Sequence, residues 1–261
     1  MRFSTYVAAL FVCAGLALSI FVFRDMLVRY VWAQFHISAP VAIMQVPNAE
    51  LYFEIAEFYF NGESYNLEKA AYYYQKVLEA DSKYNFARYQ LSRIHFIEGE
   101  FEQARSMLDM YLAQEPHEKR AYYIRGLVNG FDGRWEEAEQ DFKTFIAWAP
   151  DEWAGYADLA WVYFATEAYE KSSDIAAGGL EKHPENPWLL NAYGVALLNL
   201  ERFTEAQEVL EKALEHSLAL SSEEWGQAYP GNNKASYSRG LESMRKGISR
   251  NLDLAYDRSS L

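Results

Sequence analysis

Small and apolar side chains recur along this chain in blocks of 34 residues, and three of the blocks close on a proline: Pro116, Pro150 and Pro184. The first apolar run of each block carries a small residue at one fixed place, Ser92, Gly126 or Ala160. A turn follows at Gly99, Gly133 and Glu167, with Phe101, Trp135 and Tyr169 two residues on. The second run brings Ala104, Ala138 and Ser172, then Leu108, Phe142 and Ala176, then Tyr111, Phe145 and Gly179. These last two sets are three residues apart and share one helical face. The pattern predicts two antiparallel helices per block, joined by a tight turn. Proline stops the second helix because it cannot donate a backbone hydrogen bond and disfavours helix in the residue before it. A unit of this size cannot bury its apolar face alone, so successive units must stack.

The spacing of small, aromatic, Ala and Pro residues resembles the tetratricopeptide repeat (TPR) family. A further block keeps the frame with Tyr193, Gly194, Leu197, Phe203, Ala206, Leu210 and Ala213, with Leu218 in the proline position. An earlier one fits through Tyr52, Ile55, Ala56, Tyr59, Ala70, Tyr74 and Val77 if two extra residues are allowed within 61–67. The resemblance implies an all-α, right-handed TPR solenoid of about five helix-turn-helix repeats over 48–218. Residues 219–261 then form a connector and a C-terminal capping helix, amphipathic over Ser236–Tyr256 through Tyr237, Leu241, Met244, Ile248 and Leu252. Two features depart from the family pattern. Arg125 stands where Leu is usual, and Gly178 with Gly179 interrupts a second helix, either for close packing or as a softer joint.

The N-terminus adds a second element. Tyr6–Phe23 runs 18 residues without a charge, which as a helix would rise about 27 Å, near the thickness of bilayer hydrocarbon. One N-terminal transmembrane helix is expected within 1–35. A cleaved signal peptide is the rival, with Ala17-Leu18-Ser19 as its processing site. Arg24, Arg29, Tyr30, Trp32 and Phe35 are residue types that sit at headgroup level. Residues 36–47, bracketed by Pro40 and Pro47, form a short linker, and Asn48 is placed to cap the first repeat helix. A single-pass protein with its repeats on the extracytoplasmic face is the expected topology, because long domains cross membranes largely regardless of charge.

Charge narrows the partners. The chain carries −13 and residues 1–40 a net +2, which leaves −15 on the remainder. Such a domain repels nucleic acid and anionic headgroups and favours basic or apolar peptides. With 51% apolar and 16% aromatic residues it can bury a substantial core. Its lone Cys13 excludes a disulfide framework and a cysteine metal site.

By the TPR resemblance, first helices line a concave groove, and the family's groove positions fall on Phe53, Glu57, Phe60, Tyr89, Arg93, Phe96, Tyr123, Leu127, Phe131, Trp161, Phe164, Trp188 and Asn191. Rigid aromatics there suit a peptide with apolar anchors, although the same rings could fill space between repeats. The Lys and Asn pair with which chaperone-binding members grip a carboxylate is missing. Arg93 is expected to form a local ion pair, with Glu57 as one candidate. No catalytic, cofactor or metal residues are assigned. His36, His95, His117, His183 and His216 are scattered, and His95 is expected to be packed. Two functions follow as expectations: a membrane-tethered adaptor that binds protein or peptide partners while assembling a membrane or cell-envelope complex, and a structural protein that associates with copies of itself.

Overall fold

The computed structural model describes residues 23–24, 26–34, 36, 48–61, 64–228 and 231–259. The described residues from Ala49 onward fold as helices. They pair as α1 (Ala49–Phe60) with α2 (Leu67–Ala80), α3 (Asn85–Ile97) with α4 (Phe101–Leu112), α5 (Lys119–Phe131) with α6 (Trp135–Trp148), α7 (Trp153–Ala165) with α8 (Tyr169–Leu180), and α9 (Pro187–Asn199) with α10 (Phe203–Ala219). A short α11 (Ser222–Gln227) and a long α12 (Tyr237–Ser259) complete the chain. Contacts divide it into two compact units, Met1–Ala87 and Arg88–Leu261. The expected membrane span lies outside the described residues, save Phe23. No helix among the described residues is long and apolar enough to cross a membrane.

The turn chemistry follows the predicted frame. Asn48 caps α1 by accepting from the Leu51 N–H at 2.9 Å, and Asn66 caps α2 from Lys69 at 2.8 Å. Asn186 caps α9 from Leu189 at 3.0 Å, with Pro187 in the first turn, where its missing N–H costs nothing. Between the helices of successive pairs, Gly99, Gly133, Glu167 and Glu201 all take positive φ, at 78°, 77°, 59° and 59°. Glycine suits that position; the two glutamates hold it against steric cost.

Within each pair, helix spacing is set by matched sizes. A methyl group at Gly126 would lie 2.9 Å from the Phe142 ring, and one at Gly194 would lie 2.6 Å from Leu210. Where the first helix instead carries Ala160, the facing positions are small: Ala176, and Ser172, whose hydroxyl donates to the Ala160 carbonyl at 2.9 Å. Gly179 is a packing glycine, since a methyl group there would meet Leu189 and the Tyr156 Cβ at 2.9 Å, whereas Gly178 faces open space. Of the two readings of this pair, close packing accounts for Gly179.

Arg125 explains its own departure from Leu. Its guanidinium donates twice to Asp141, at 2.8 and 3.0 Å, and once to Asp109 on α4 at 2.8 Å. The Asn129 amide also donates to Asp141 at 3.0 Å. The Asp141 side chain is 5% exposed, and burial raises its carboxyl while Arg125 and Asn129 pull it back down. A buried carboxylate of this kind is tolerated only with its cation in place.

α12 packs on α9 and α10, burying Ile248, Leu252 and Ala255 against Leu190, Leu197 and Leu210. Arg245 donates to the Ser217, Leu218 and Leu220 carbonyls at 2.8–3.2 Å, satisfying acceptors that the end of α10 leaves open. Within the first unit, the helical residues 26–34 do not simply offer aromatic rings to headgroups. Val28 and Trp32 are buried, and Trp32 meets Phe58 of α1 edge-on at 5.3 Å, with His36 stacked on Phe58 at 4.7 Å.

Two outcomes follow for stability. Glu167→Gly or Glu201→Gly removes a left-handed cost of about 1–2 kcal/mol and restores up to about 1 kcal/mol of unfolded-chain entropy. Each is expected to raise the urea midpoint modestly, and a fall at both sites would contradict the strained turn. Arg125→Leu is expected to destabilise by about 3–5 kcal/mol, because it strands Asp141. Adding Asp141→Asn should recover much of that loss, which a double-mutant cycle of denaturation midpoints measures directly.

Candidate functional site

In the second unit the first helices α5, α7 and α9 approach one another directly, which makes their shared face the inner side of the array. On that face rings meet from one repeat to the next. Phe96 of α3 meets Phe131 of α5 at 5.5 Å, and Phe131 meets Trp161 of α7 at 5.1 Å. Phe101 and Trp135, which begin the second helices, flank this ladder at 6.3 Å from Phe131 and 5.6 Å from Trp161. The close approach depends on Gly130, where a methyl group would lie 2.5 Å from the Trp161 ring. Phe131 stays 58% exposed, so the ladder presents apolar surface to solvent, and Phe164, further along α7, is 36% exposed.

Other predicted groove residues are spent on packing. Phe60 is 1% exposed, wedged edge-on against Tyr74, and so is a core residue, not a contact surface. Tyr89 is likewise buried, tilted against Tyr111 at 5.5 Å. In the first unit Phe53 lies among Tyr74, Tyr84 and Phe86 at 5.1–5.9 Å, and Glu57 accepts from the Tyr74 hydroxyl and from Asn61 at 2.7 Å. Arg93 donates to Gln90 at 2.7 Å and lies over the Tyr89 ring. Leu127 packs beside the core of α6 and α7. Trp188 stacks on Trp153 at 4.8 Å, and Asn191 accepts from Asn251 of α12 at 3.0 Å. The C-terminal helix therefore occupies this face at the fifth repeat. There it helps to line a cleft of about 460 Å³ with Phe164, Leu198, Leu254 and Arg258.

Sequence reasoning missed one charged group. Asp158 of α7 accepts from the hydroxyl of Tyr123 on α5 at 2.7 Å, tying neighbouring first helices together. Burial pushes its carboxyl up to about 6, opposed only by the Tyr123 hydrogen bond. The signal was present: Asp158 is the one charged residue in the otherwise uncharged run from Trp153 to Ala165. The described residues that could hold a metal are His95, Glu98 and Glu100, folded together by the Gly99 turn. His95 Nδ1 and Glu100 are 2.6 Å apart and partner each other, so this group needs no ion to be satisfied.

The raised Asp158 carboxyl carries a pH signature. Well below pH ~4 both folded and unfolded chains are protonated there. As pH rises towards about 6 the unfolded chain ionises first, so stability falls over that window and the loss then persists. Asp158→Asn lacks this loss, and its stability relative to the parent should improve by about 2 kcal/mol between pH 4 and pH 7. Urea titrations at the two pH values check this; a difference that does not change with pH would contradict the raised carboxyl.

Tetratricopeptide repeat models match residues 63–127 and 189–216. No curated protein matches the chain in sequence. Among solved structures, MamA from residue 41 onward of Desulfovibrio magneticus RS-1 is 21% identical with a TM-score of 0.61, covering 66% of this chain and 97% of that one. A tetratricopeptide repeat protein from Parabacteroides merdae is 18% identical with a TM-score of 0.59, covering 84% of this chain and 89% of that one. YrrB, described as a TPR protein with an unusual peptide-binding site, is 19% identical with a TM-score of 0.55, covering 68% and 91%. At these identities the likeness speaks for the fold: the chain carries tetratricopeptide repeats in an all-helical, TPR-type array.

Proposed function

We propose that this protein is a membrane-tethered, non-enzymatic scaffold that holds a protein or peptide partner on the inner face of its repeats. The observation that carries this reading is the Phe96–Phe131–Trp161 ladder, in which a ring more than half exposed is held by neighbours at 5.1 and 5.5 Å. Rigid rings bury large area at small entropic cost and dominate the energetics of many interfaces. The repeat family matched is one of binding modules, and the peptide site ascribed to YrrB supports a similar use here. The tether rests on the uncharged run over 6–23, with the repeats delivered to the extracytoplasmic side and the partner drawn from a membrane or cell-envelope complex.

A photo-crosslinking amino acid at Phe164, used in native membranes, should capture a discrete partner, whereas the same label at Glu136 on a second helix should not. Phe131→Asp is expected to abolish the Phe164 crosslink while circular dichroism stays unchanged. Equal capture from both labels, or capture indifferent to Phe131→Asp, would contradict the site. Capture of the chain's own sequence would show self-association instead.

A further inference from the structure

Two shielded carboxylates in the second unit are treated differently. Asp141 is clamped by Arg125 and Asn129, with every partner at 3.0 Å or less. Asp158 accepts one hydrogen bond, from Tyr123, and no Lys, Arg or His lies within ion-pair distance of it among the described residues. The Tyr123 ring is itself fixed, at 4.9 Å from Phe145 and 5.9 Å from Phe142, so the hydroxyl holds the carboxylate in one place. A carboxylate has about four acceptor sites, and one is used. A bond that served only to lock α5 to α7 would be made as well by a neutral acceptor, without the cost of shielding an ion.

Position adds to this. Asp158 and Trp161 are three residues apart on α7, and side chains at that spacing are neighbours on one helix face. Trp161 is the inner end of the exposed ladder through Phe131. A fixed carboxylate beside an indole face suits a cation that can use both, by ion pairing and by stacking on the ring. The acidity of the chain, −13 in total, attracts such a ligand from a distance.

We propose that Asp158, positioned by Tyr123, receives a Lys or Arg side chain of the bound peptide, while Trp161 and Phe131 take the apolar residue beside it. The proposal rests on the peptide-binding reading above and specifies its ligand as a basic residue flanked by an apolar anchor. A random dodecapeptide phage library, panned against the purified full chain in a neutral detergent, supplies the probes. Selected sequences should pair Arg or Lys with an adjacent aromatic or aliphatic residue, and replacing that Arg with citrulline should weaken binding at least tenfold. In Asp158→Asn the citrulline penalty should vanish, with the fold intact by circular dichroism. Peptides that need Phe131 but show no basic preference, or whose citrulline penalty survives Asp158→Asn, would overturn the proposal and leave the peptide site standing. A selection that yields no peptide sensitive to Phe131→Asp would overturn both.

Discussion

The structure depends on how closely the two helices of each repeat approach. Gly126 under Phe142 and Gly194 under Leu210 leave no room for a single methyl group, and the pair built on Ala160 compensates with Ala176 and Ser172 opposite. Size is thus conserved across each contact while identity changes, as close-packed interiors require. That spacing fixes where each second helix lies and which faces remain for the next repeat. Gly155 and Gly179 apply the same constraint between repeats, admitting Phe145 and Leu189 at distances no Cβ would allow. The inner face on which α5, α7 and α9 converge is a consequence of these contacts.

Much of this was legible in the residues. The proline period, the turn position at Gly99, Gly133 and Glu167 and the cap at Asn48 are local features, and local rules read them correctly. The amphipathic C-terminal helix was also legible, since Ile248 and Leu252 sit on the apolar stripe that packs on α10. Side-chain destinations were less so. Phe60 and Tyr89 occupy groove positions by family frame yet turn into the core, because large neighbours such as Tyr74 and Tyr111 draw their rings inward. No periodicity reports a pairing that is decided across helices. For the same reason Arg125 read as an anomaly until Asp109 and Asp141 were seen to converge on it from α4 and α6. Trp32 is a similar case: its composition suited a membrane surface, while its ring packs on Phe58.

The C-terminal helix limits where a guest can bind. Asn251 donates to the Asn191 side-chain carbonyl, and Leu254 with Arg258 walls a cleft against Phe164 and Leu198, so α12 occupies part of the fifth repeat's inner face. On the inner face of the second unit the chain of ring contacts runs from Phe96 through Phe131 to Trp161, and Asp158 lies three residues before Trp161 on α7. A ladder of three rings favours a short recognition element over a long one. Three rings can seat a few side chains, and a lone fixed carboxylate can distinguish among sequences that the rings alone would accept. Apolar contact supplies affinity with little discrimination, whereas a desolvated charge penalises every ligand that fails to pair it. The two features occupy adjacent places on α7, so a single helix can contribute both the anchor and the selectivity of the site.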